Sequence, residues 1–196
     1  MTLIAALLAV ANPAQPPWQL SVEGFGPVRL GMSALEAAQA LATDLKGEPI
    51  ESGEICVEKV AANFPGVRFM FENGRLSRIS VAKPSPVTSQ RGIAAGATAA
   101  QVRGAYASQL VIEPNKNEPP PAEYLTYWAV PKKGGIHFEV STDRRVYVMH
   151  AGNDSITCFP PADTYFGRDK AILAQRARIK RMTIEHRRLQ HRKIAA

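Results

Sequence analysis

The stretch Val28-Arg29-Leu30-Gly31-Met32-Ser33, followed by Leu35, Glu36, Leu41 and Leu45, sets the reading of the whole chain, because its pattern is written twice. Ile93 answers Val28, Gly96 answers Gly31, Thr98 answers Ser33, Gln101 answers Glu36, Tyr106 answers Leu41 and Leu110 answers Leu45. A hydroxyl residue followed three positions later by Glu or Gln is a capping box, in which each side chain satisfies the other's backbone N–H. The apolar residues behind Ser33 and Thr98 recur at helical spacing. Helices are therefore expected over Ser33 to Leu45 and Thr98 to Leu110. Gly31 and Gly96 read as helix-entry turns needing an unusual backbone angle. Neither belongs to a phosphate-cradling motif.

Each copy leads to a hairpin. Val67 to Phe71 and Leu76 to Val81 flank Glu72-Asn73-Gly74, and Asn-Gly between alternating apolar runs is a strong hairpin signal. A three-residue loop with Gly74 left-handed is expected, with Val67, Phe69, Phe71, Ile79 and Val81 on one apolar face. Ile136, Phe138, Val140, Tyr147, Met149 and Ala151 are expected to share the corresponding face of a second hairpin turning near Asp143 and Arg144. Further strands are expected over Trp18 to Phe25, Cys56 to Val60 and Tyr124 to Val130, and an extended loop over Asn115 to Pro121. The fold class expected is α+β: two tandem helix–β-hairpin repeats, 18–83 and 87–160, forming an antiparallel sheet covered by helices.

Composition adds an address. Leu3 to Ala11 is apolar and ends in the small-x-small pattern Ala9-Val10-Ala11, so residues 1–11 read as a signal-peptide-like segment. No Lys or Arg precedes Arg29, a departure from the usual basic start, and the alternative is a buried N-terminal helix or strand. No cysteine follows the apolar run, so a lipid anchor is not expected. The two cysteines, Cys56 and Cys158, fit a disulfide in an oxidising compartment. Closing a loop of that length is worth ~4–5 kcal/mol in the chain-entropy model. Free thiols in a cytosolic protein are the alternative. A periplasmic or secreted location is expected.

The net charge of +7 is unevenly placed. Residues 167–196 carry ten Lys and Arg against two acids, whereas residues 1–166 carry fourteen against fifteen. The basic segment reads as a C-terminal helix or tail, with Arg178 and Arg181 as candidate contacts to an anionic surface. A nucleic-acid-binding role through it is the weaker alternative, since no aromatic residue follows Phe166 to stack on bases.

Chemistry is sparse. If the second hairpin pairs residues whose numbers sum to 287, His137 faces His150 with Glu139 diagonal to it, away from the core. Two histidines and a carboxylate suit Zn²⁺ or Fe²⁺. The alternative is a pair of exposed imidazoles on a wet sheet face. No nucleophile elbow or Ser-His-Asp ordering stands out, and neither catalysis nor an organic cofactor is expected. Arg144 and Arg145, with the loop Glu118 to Pro121, are candidate contacts to another protein.

The Val-Arg-Leu-Gly-Met-Ser entry to a capped helix, followed by a Gly-Val-x-Phe hairpin strand, resembles the small exported bacterial domains of the outer-membrane assembly lipoprotein (SmpA/OmlA) group. The tandem layout is similar to that of the β-lactamase inhibitory protein. The resemblance spans Val22 to Cys158. It implies a non-enzymatic protein-binding or scaffold module with another envelope protein as partner, and carries over no functional residue. A small-ligand or metal-binding envelope protein is the alternative.

Overall fold

The computed structural model describes residues 18–47, 56–130 and 134–152. A ribbon of three two-residue strands, β1 (Leu20–Ser21), β2 (Gly24–Phe25) and β3 (Val28–Arg29), comes first. Helix α1 (Ala34–Leu41) follows, then β4 (Leu45–Lys46), β5 (Cys56–Ala61), β6 (Val67–Glu72) and β7 (Arg75–Ala82). Helix α2 (Ala99–Tyr106) runs into a 3-10 turn (Ala107–Gln109) and then β8 (Leu110–Pro114), β9 (Glu123–Val130), β10 (Gly134–Val140) and β11 (Val146–Gly152). Strands β4 to β11 form one antiparallel sheet in the order β4-β5-β6-β7-β11-β10-β9-β8.

This overturns the expected α+β class of two tandem helix–hairpin repeats covered by helices. The chain is mostly β, and two eight-residue helices, about 12 Å long each, cannot cover a sheet about 34 Å wide. Helical spacing overcounted because it included Leu45 and Leu110. Both capping boxes form, with Ser33 and Glu36 bonding each other's backbone N–H and Thr98 and Gln101 doing the same. The helices then stop early. Ala42 turns left-handed at φ 51° and donates its N–H to Ala38 and Gln39. Ala107 ends α2 at φ 46°. Leu45 then pairs with Ala61 and Leu110 with Tyr127, packing on the core from strands.

Gly31 and Gly96 are helix-entry residues, at φ 88° and 97°. Each donates its N–H to a strand carbonyl at 2.7 Å, Gly31 to Leu76 and Gly96 to Val146. Leu76 and Val146 donate back to Met32 and Ala97 at 2.8 Å. These reciprocal bonds dock each helix entry onto the hairpin that follows it. The first hairpin turns in two residues, not three. Asn73 and Gly74 both have positive φ, the type I′ signature, and Glu72 pairs with Arg75.

One face of the sheet carries the core. Val67, Phe69, Phe71, Ile79, Val81, Leu125, Ile136, Phe138, Val140, Met149 and Ala151 are buried there with Ala37, Leu41, Val102 and Tyr106 from the helices. The ribbon adds Leu20, Phe25 and Val28; at one end Trp18 stacks on Phe64 and Phe25 meets both edge-on, with ring centroids 5.0–5.6 Å apart. The seam between β7 and β11 joins the two halves of the chain: Val148 pairs with Ala82, His150 with Ser80 and Gly152 with Arg78.

Candidate functional site

Strands alternate sides, so the residues between the core positions share the opposite face. The second hairpin has the register read from the sequence, with His137 facing His150 and Phe138 facing Met149. A bulge then shifts the register, pairing Val140 with Val146. Val146 takes the core position, and Tyr147 reaches the opposite face to hydrogen-bond Glu139. The expectation that Tyr147 belongs to the core face is therefore corrected: an inserted residue inverts the alternation locally.

The opposite face is not wet. Arg78, Ser80, Thr126 and His150 are each at most 6% exposed. His150 lies at the centre, its Nε2 3.0 Å from Glu139 Oε1 and its Nδ1 2.8 Å from Ser80 Oγ. His137 Nδ1 lies 2.7 Å from Thr126 Oγ1, and its ring sits 4.9 Å from Tyr124 and 6.1 Å from His150. Burial opposes charge on Glu139, but hydrogen bonds from His150 and Tyr147 outweigh it and hold the carboxyl at about 2. Burial keeps the His150 imidazole below its ordinary value despite the pull of Glu139. An ionised carboxylate only accepts, so Nε2 of the neutral ring carries the proton and Nδ1 accepts from the Ser80 hydroxyl.

These residue types occur in hydrolase relays, in which a histidine activates a serine. Here Ser80 sits mid-strand and is 2% exposed, so a substrate carbonyl has no approach to its oxygen. The arrangement does the work of a structural network. Nor does it suit the candidate metal. His137, His150 and Glu139 do come together, but both nitrogens of His150 are already engaged. Among the described residues, no three His, Cys, Asp or Glu side chains are placed to hold an ion.

Further along this face Arg68 pairs with Glu58, and Cys56 is buried against Met70. Cys158, Arg178, Arg181, the signal-like segment and the basic tail lie outside the described residues. Arg78, Ser80, Thr126 and Tyr147 had no motif to mark them. The available signal was the alternation of Arg78 and Ser80 with Ile79 and Val81, which announces a two-sided strand without saying that both sides are buried.

A second site lies at the N-terminus of α2. Pro121 and the Asp143-Arg144-Arg145 turn line one groove of about 580 Å³ with Thr98, Arg103 and Glu123. Arg103 and Glu123 form a two-pronged ion pair at 2.8 and 2.5 Å, which holds the guanidinium above its ordinary value. Arg145 donates to the Gly96 carbonyl at 2.9 Å, and Asp143 accepts from the Arg145 N–H at 3.1 Å. Arg144, at φ 60°, is exposed and has no such anchor among the described residues. Of the two turn arginines singled out by sequence, Arg145 builds the turn and Arg144 is presented by it.

No family model matches this chain, and no curated protein or solved structure matches it either. No helix among the described residues is long and apolar enough to cross a membrane.

Proposed function

We propose that this chain is a non-enzymatic exported binding module that engages another envelope protein through the groove at the N-terminus of α2. The observation carrying this reading is the convergence of Pro121, at the end of one marked loop, with the Asp143–Arg145 turn on a single groove. Arg145 is spent on Gly96 and Arg103 on Glu123, which leaves Arg144 to meet a carboxylate on the partner. Rigid supports under an exposed charge reduce the entropy lost on binding. The resemblance to the assembly lipoprotein and inhibitory protein group points the same way.

A photoreactive residue at position 119 tests it in envelope extract, with position 43, just past the end of α1, as control. The reading expects one discrete adduct from position 119, none from position 43, and at least about tenfold less adduct when Arg144→Glu is added. Equal adducts from both positions, or none from either, would overturn it. The export reading carries a Cys56–Cys158 disulfide with it. Thiol titration of the denatured protein should find no free thiol before reduction and two after it. Two free thiols beforehand would remove the export reading.

A further inference from the structure

Arg78 on β7 is 4% exposed, and neither its Nε nor its Nη2 has a hydrogen-bond partner among the described residues. Burying a guanidinium without a counter-charge costs several kcal/mol. Among the described residues the nearby acids are committed elsewhere: Glu58 to Arg68, and Glu139 to His150 and Tyr147. Register places Met70 on one side of Arg78 and Gly152 on the other. Gly152 brings no side chain, and neither does Gly135 beyond it on β10. The Trp128 ring lies over Gly135, 2.7 Å from where a Cβ would stand, and closes that end. Ser80 and His150 occupy the next row along the strands.

We propose that Arg78 is the receptor for a small oxyanion, a carboxylate or a phosphate, held over Gly152 between the guanidinium and Trp128. The fork of N–H donors on arginine matches two oxygens of such a group, and charge-assisted pairs of this kind are the strong ones. The neutral His150 beside it adds no competing positive charge. This site is separate from the groove at α2 and does not depend on the protein-binding reading.

The test uses the full chain with its cysteines as purified. Thermal unfolding and calorimetric titration are run with inorganic phosphate and with acetate, each against sodium chloride at matched ionic strength. The wild type should show a saturable rise in Tm of about 2–4 °C with at least one of the two. Arg78→Met, which keeps the apolar stem, should lose that response. Arg78→Lys, which keeps the charge without the fork, should bind at least about tenfold more weakly. Arg75→Gln, at an exposed arginine of the same strand, should respond like the wild type. The proposal is overturned if chloride does as well as both oxyanions, if Arg78→Met retains the response, or if Arg75→Gln abolishes it.

Discussion

On one side of β7, β10 and β11, Ile79, Phe138 and Met149 interlock with helix and ribbon side chains. On the other side of the same strands, Ser80, Glu139 and His150 join by hydrogen bonds. Both sets are withdrawn from water, but they tolerate change differently. Apolar packing is non-directional and scales with the volume removed. A buried polar chain is directional, and taking out one member leaves another's donor or acceptor unmet. The first set fixes that a sheet forms, and the second fixes how neighbouring strands align.

The largest effect should come from the apolar side. Phe138→Ala should cost about 3–5 kcal/mol in urea unfolding, and a loss below about 1 kcal/mol would mean that Phe138 is not central to the core. Next comes Glu139→Ala, which removes the acceptor shared by the His150 N–H and the Tyr147 hydroxyl. A cost of about 2–4 kcal/mol is expected, and a neutral result would show that the polar chain contributes nothing.

Acid sharpens the contrast, because only the polar side titrates. The Glu139 carboxyl stands at about 2 in the folded chain against an ordinary 4.5, so its contribution is present above pH 4.5 and lost as pH falls toward 2. That shift corresponds to about 3 kcal/mol. His150 is also depressed, so its contribution is complete above its ordinary value of 6.5 and declines below that. Stability measured from pH 7 to pH 2 should therefore fall in both windows. Glu139→Ala should flatten the lower one, and an unchanged acid profile would separate Glu139 from the effect. Smaller again, Ser80→Ala should cost about 1–2 kcal/mol by removing the donor to Nδ1 of His150. Ser33→Ala and Thr98→Ala should each cost about 1 kcal/mol at the helix caps, away from both faces. A cap variant costing more than Ser80→Ala would reverse the order of the two smallest effects.

The apolar side was legible in the sequence because alternation is a local signal: Val67, Phe69, Ile79 and Phe138 all lie where it places them. The pairing of His137 with His150 was legible for the same reason, given a turn near Asp143 and Arg144. The helix ends were not. Leu45 and Leu110 keep helical spacing while belonging to strands, and the positive-φ turns at Ala42 and Ala107 occur at residues with no compositional mark. The bulge that carries Tyr147 across the sheet left no trace either. Ser80 and His150 are 70 positions apart, so their contact follows from the order of strands, which no short window contains. The groove at α2 was half legible: its two loops were marked, but their meeting was not.

The β7–β11 seam has a consequence for how the molecule opens. Its ladder is the sheet pairing between the two halves, and the Ser80–His150–Glu139 chain crosses it from β7 through β11 to β10. Separating the halves would break backbone pairing and strip a buried polar chain of its partners in one event. Amide hydrogens along Ile79–Ala82 and Val148–Ala151 should therefore exchange only through global unfolding, while those of the outermost strands β4 and β8 exchange by local fraying.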